Sequence, residues 1–251
     1  MQIELMPLLT IQQELFQQPS GFERFRWYLQ TLLKDDKSDV DLFPMVVTNP
    51  MGKPHVANYV DALIALEAEA IAKEQIDAAT SRLAKVSDPF KLGLTVADDR
   101  MGGWTNRFST DFAHRFSCQA QLKRHWISAT FWTSESPTAS LIRETVLIAI
   151  YRTNYILQHG FPRTLADMMA QEGDAMRQAG CTQPSLPSED MDYTESVIRP
   201  YLAATDTPTQ MVCLFGDVAA ESLGYKPQEL SPNAGLALAL HQASTNHMTV
   251  A

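Results

Sequence analysis

The sequence predicts a mixed α/β, predominantly helical fold, with about eight helices and a small sheet of three short strands at 43–48, 92–97 and 126–132, followed by a helical C-terminal half. Three observations carry this. Short β-prone runs alternate with helical segments in the first half, helix starts and stops are legible in the second, and the composition is that of a chain with a sizeable core. Hydrophobic residues make up 45% and charged residues 20%, far from the range in which chains stay unfolded. An almost all-α chain is the alternative, because a short apolar run fits a buried helix as well as a strand.

In the first half, a helix around Phe22–Leu33 precedes the charged turn Lys34–Asp41 and the apolar run Met45–Thr48, which Asn49-Pro50 and Gly52 break. A helix of about thirty residues should follow from Pro54 to Val86 and stop at Ser87-Asp88-Pro89. Leu92–Val96 reads as a strand. Around Trp126–Trp132, Trp126, Ser128, Thr130 and Trp132 alternate with Ile127, Ala129 and Phe131, as on the two faces of another. A helix near Thr110–Cys118 lies between them, and strand–helix alternation of this kind favours parallel strands with helical crossovers.

In the second half, Ser136 before Pro137 reads as a helix start, and Gly160 with Pro162 as the stop after His159. Thr164 and Asp167 should open the next helix, ending at Gly180 and weakened midway by Gly173. Thr207-Pro208-Thr209-Gln210 fits a capping box, with Gly224 and Pro227 as the stop, and Ser231-Pro232 opens a last short apolar helix. A single globular domain over 1–251 is expected, with 181–190 as a loop or linker. No internal repeat is present.

A net charge of −9 disfavours a nucleic-acid surface, since phosphate contacts need clustered Lys and Arg. No apolar run approaches the roughly 20 residues a bilayer span requires, and Met1–Thr10 lacks the basic start of a signal peptide. A soluble, acidic, cytoplasmic protein without a membrane or nucleic-acid partner is therefore expected; oligomeric state and cofactor are not legible. Cys118, Cys181 and Cys213 form no CxxC pair and read as buried free thiols.

The window from Asp98 to Glu135 stands out. It holds seven of the chain's 22 aromatics, where even spacing would place about three. Its first part, to Trp126, carries five basic residues against three acidic ones, inverting the sign of the whole chain. If the strands are parallel, the loops after them share the edge where open α/β sheets hold ligands. That edge would collect Asn49 and Lys53, then Asp98, Asp99, Arg100, Trp104, Asn106 and Arg107, then Thr133, Ser134 and Glu135.

The expected function is an enzyme acting on a small anionic or zwitterionic substrate at loops 49–53, 98–107 and 133–135. Asp98 or Asp99 would serve as base or ligand, Arg100 and Arg107 would orient the substrate, and Trp104 would exclude water. Lys53, Asn106 and Glu135 complete the candidate site. A non-catalytic interaction or regulatory protein, docking a partner through the aromatic and basic window 98–135, is the rival. A metal-binding helical protein is a third reading, resting on Asp111 and His114 one turn apart; it needs a further ligand. P-loop, dinucleotide-fingerprint, zincin and nucleophile-elbow motifs are all absent from the sequence.

Overall fold

The computed structural model describes residues 1–83, 89–101 and 104–248. It divides into two compact units, Met1–Ala149 and Ile150–Ala251. Twelve α-helices and one three-stranded sheet are found among the described residues, so the fold is mixed α/β with more helices than the eight expected. Among those residues no helix is long and apolar enough to cross a membrane.

The first unit is built on the sheet. Its strands β1 (Ile3–Met6), β2 (Phe90–Ala97) and β3 (Trp126–Trp132) are all parallel in the order β1-β2-β3. Ile3 pairs with Phe90, and β3 runs beside β2 from Lys91–Trp126 to Ala97–Trp132. Central β2 is buried from Leu92 to Ala97, which matches its near-continuous apolar sequence. Two of the expected strands are therefore present. The third is not at 43–48: Phe43–Val47 is a 3-10 helix with Pro44 in its first turn. The remaining strand is Ile3–Met6, whose alternation of Ile3 and Leu5 around Glu4, ended by Pro7, was its only local signal.

The reason lies along the free half of β2. Helix α1 (Leu8–Gln17) follows β1 and lies close over β2, where a methyl group on Gly93 would stand only 2.2 Å from Leu8 Cδ1. This approach carries fully buried Gln12 to the strand just beyond the end of β1. Gln12 Nε2 donates to Leu94 O at 3.1 Å, and Oε1 accepts from Val96 N at 2.8 Å. One side-chain amide thus takes the two backbone groups that a fourth strand segment would have taken. Thr48 Oγ1 donates to the same Oε1 at 3.3 Å, fixing the chain after the 3-10 helix.

The expected thirty-residue helix is two helices, α3 (Pro54–Ala65) and α4 (Ala68–Thr80), separated by Glu67 in the left-handed region at φ 54°. The break lets Glu69 Oε1 accept from Leu9 N at 3.1 Å, capping an α1 terminus where Pro7 offers no side-chain cap. The stop expected at Ser87 and Asp88 lies outside the described residues. Helices α2 (Phe22–Leu32), α5 (Arg107–Phe116) and α6 (Gln119–Leu122) complete the unit, and α7 (Ala139–His159) leads out of it. Thr138, not Ser136, caps α7, accepting from Leu141 N at 3.1 Å.

The second unit is helical: α8 (Leu165–Gln178), α9 (Ser188–Ile198), α10 (Thr207–Phe215), α11 (Asp217–Leu223) and α12 (Ala234–Met248). Thr164 and Asp167, expected to open this helix, do so, and they cap each other reciprocally. Two expectations shift by small geometric causes. Asp206, not Thr207, caps α10, while Gln210 donates to Arg163 O and Ala204 O, both at 3.0 Å. Gly216 at φ 80° then separates α10 from α11, and a Cβ there would meet Ser231 O at 2.1 Å. Helix α9 was not anticipated. Cys118, Cys181 and Cys213 are all buried, and burial, then Asp206, pushes the Cys213 thiol up to about 12.

Gly173 in α8 is a packing residue: a Cβ would lie 2.4 Å from the carbonyl oxygen of Ala239 in α12. Two stability measurements follow from these contacts. Gln12→Leu should lower the unfolding free energy in urea by roughly 2–4 kcal/mol, since it leaves Leu94 O and Val96 N buried and unpaired. Gly173→Ala should destabilise by about 1–3 kcal/mol, because overpacking against fixed backbone outweighs the roughly 1 kcal/mol by which Ala is the better helix former. A neutral Gln12 variant or a stabilised Gly173 variant would contradict these accounts.

Candidate functional site

Because β2 and β3 end in register at Ala97 and Trp132, the residues that follow them emerge side by side. Asp98 and Asp99 leave β2, and Thr133, Ser134 and Glu135 leave β3. The 3-10 helix packs on the same two strands, so the Asn49–Lys53 segment and the start of α3 belong to this first unit as well. Loops 98–107 and 133–135 are joined by direct hydrogen bonds, and α3 joins them through His55.

Asp98 is the centre of the arrangement, its side chain only 1% exposed. Its Oδ1 accepts from four donors: His55 Nε2 at 2.8 Å, Arg100 N at 3.0 Å, Met101 N at 3.3 Å and Thr133 Oγ1 at 2.9 Å. Burial alone would raise the carboxyl pKa, but these hydrogen bonds, that from His55 foremost, outweigh burial and hold it below the usual range. Asp98 is therefore ionised and accepts only, which assigns the shared proton to His55 Nε2. In the neutral ring Nδ1 then carries the lone pair, and it makes no hydrogen bond among the described residues. The His55 side chain remains 21% exposed.

Around this pair lies a second network. Asp99 Oδ1 accepts from Ser134 N at 2.9 Å, and Oδ2 accepts from Ser134 Oγ at 2.6 Å and Arg107 Nη1 at 3.1 Å. Arg107 also donates to Ser134 Oγ and Glu135 Oε1, and its guanidinium stands 5.5 Å from the centre of the Trp132 ring. Trp132 Nε1 donates to Asp111 Oδ1 at 3.1 Å. Burial acts to lower the Arg107 pKa, but Glu135, Asp111 and Asp99 together raise it. Arg107 is thus a charged strut tying α5 to both loops, with each terminal nitrogen already engaged.

The remaining expected residues have separate places. Asn106 caps α5, accepting from Ser109 N at 3.1 Å. Lys53, Arg100 and Trp104 are exposed, and the Gly102-Gly103 pair lies outside the described residues. His114 Nδ1 lies 3.3 Å from Thr130 Oγ1, and among the described residues no group of three or more His, Cys, Asp or Glu side chains could hold a metal ion.

Sequence reading missed Tyr59 and gave His55 no acid–base role. They stand four residues apart on α3, and so share a helix face; the helix start right after the 49–53 loop was the available signal. The Tyr59 hydroxyl is buried with no hydrogen-bond partner among the described residues. Burial, then Glu135 and Asp99, pushes its pKa well above that of a free phenol, so it stays protonated.

Compared with known proteins, the chain matches no family model, no curated protein and no solved structure.

A carboxyl held low in the fold stabilises the protein above its unfolded pKa, near 4, and that contribution disappears as pH falls through the folded value. Wild-type protein should therefore lose stability between about pH 5 and pH 2, and Asp98→Asn should flatten that part of the profile. An unchanged acid limb in the variant would show that Asp98 is not ionised in this network.

Proposed function

We propose that the first unit carries an enzyme active site at the C-terminal edge of the sheet, and that it acts on a small polar molecule by acid–base catalysis. The observation that carries this reading is the His55–Asp98 pair. Asp98 holds the ring in one tautomer and stabilises the imidazolium that forms when Nδ1 accepts a proton. His55 would take that proton from the substrate or from an attacking water. Asp98, expected from sequence as the base itself, becomes the positioning residue for the base. Asp99, Arg107, Ser134 and Glu135 hold the two loops at a fixed spacing, while Lys53, Arg100 and Trp104 at the rim are available to meet the substrate.

A second reading, the docking of a protein partner, draws on Val46, Met51, Met101 and Trp104, large apolar side chains left exposed on the segments that frame the site. Function separates the two. Purified protein should be incubated with pooled small metabolites, and consumption followed by NMR. The wild type is expected to convert at least one compound, and His55→Gln to reduce kcat/KM at least about 100-fold with little change in melting temperature. Turnover that survives in His55→Gln would refute the assigned base. No turnover at all, together with a captured partner lost on Trp104→Ala, would favour docking instead.

A further inference from the structure

Two buried polar atoms in this site have no hydrogen-bond partner among the described residues: Asp98 Oδ2 and Tyr59 Oη. Such atoms are rare in folded proteins, because each has lost its water without gaining a hydrogen bond in return. Both belong to side chains more than nine-tenths buried. Tyr59 lies one turn along α3 from His55, whose ring bonds to Asp98, and its phenol feels the charges of Glu135 and Asp99 from the same loops.

Charge restricts what could complete them. Beside Asp98 the network holds the carboxylates of Asp99 and Glu135, which share the guanidinium of Arg107. Asp98 Oδ2 is a carboxylate oxygen and can only accept a hydrogen bond. An anionic group placed there would face this excess of negative charge, whereas a protonated amine would offset it and donate to both orphaned oxygens. The rim has the opposite character. Lys53 is two residues before His55 and Arg100 two residues after Asp98; both are exposed, and neither has an ion-pair partner among the described residues.

We propose, resting on the small-molecule reading of this edge, that the ligand is a zwitterionic aminocarboxylate. Its ammonium group takes the inner position at Asp98 Oδ2 and Tyr59 Oη, and its carboxylate faces Lys53 and Arg100. The Tyr59 hydroxyl is retained for this ligand and contributes nothing to the empty protein. The pairing also explains why a strongly acidic chain keeps two unpaired cations next to a buried carboxylate.

The test is calorimetric titration of the full chain with glycine, β-alanine and 4-aminobutyrate, alongside propionate, which lacks the amine, and ethylamine, which lacks the carboxylate. At least one aminocarboxylate should bind at least about tenfold more tightly than either single-charge probe. Lys53→Ala with Arg100→Ala should remove that advantage while leaving ethylamine binding unchanged. Tyr59→Phe should weaken the aminocarboxylate without lowering the melting temperature of the free protein, a split that a purely structural role for the hydroxyl would not produce. Equal binding of propionate, or no binding across the aminocarboxylate series, overturns the proposal. If a His55-dependent reaction is found on a substrate without an amine, the acid–base reading stands and this inference alone falls.

Discussion

Gln12 is the interaction on which the first unit depends. A parallel strand whose neighbour stops after four residues exposes a buried carbonyl and a buried N–H, and a core cannot hold them unpaired. Here one side-chain amide satisfies both, with the geometry of a peptide group. The arrangement requires a glycine beneath α1 and a helix register that places Leu8 over Gly93 and Gln12 one turn later. Thr48, on the same amide oxygen, anchors the segment that leads through Asn49 and Lys53 to α3. The side chain that closes the sheet edge therefore also sets where His55 can stand.

The site inherits its order from that sheet. Two strands ending in register deliver Asp98 and Thr133 to hydrogen-bonding distance, and the Asp99–Ser134–Arg107–Glu135 network holds the loops there. Every strong hydrogen-bond donor around Asp98 converges on one carboxylate oxygen. The other oxygen is buried and has no hydrogen-bond partner among the described residues.

The edge after residues 97 and 132 was legible in the sequence because strand alternation and a following polar cluster are local signals. Residues 43–48 misled for a physical reason: an apolar run before Asn-Pro has the composition of a strand, yet the place it would fill beside β2 is taken by a side chain 36 positions earlier in the sequence. The break at Glu67 left no trace either, since no Gly or Pro marks it, and the gain that offsets a left-handed Glu is a distant cap on α1. Gly173 was visible as a weak helix former, but only the neighbouring α12 backbone explains why it is there.

By itself the sequence determined what depends on neighbours within a turn or two: the helical punctuation, the two longer strands, their parallel sense, the helix start at Thr164 and Asp167, and the cluster of polar residues following each of those strands. Only the tertiary structure decided which of those polar groups meet. It joined His55 to Asp98 across 43 positions, turned Arg107 from a free cation into a strut, and left Asp98 Oδ2 and Tyr59 Oη without partners among the described residues. Periodicity and capping are energies of short range along the chain, whereas pairing, burial and the absence of a partner depend on segments the chain brings together only when it folds.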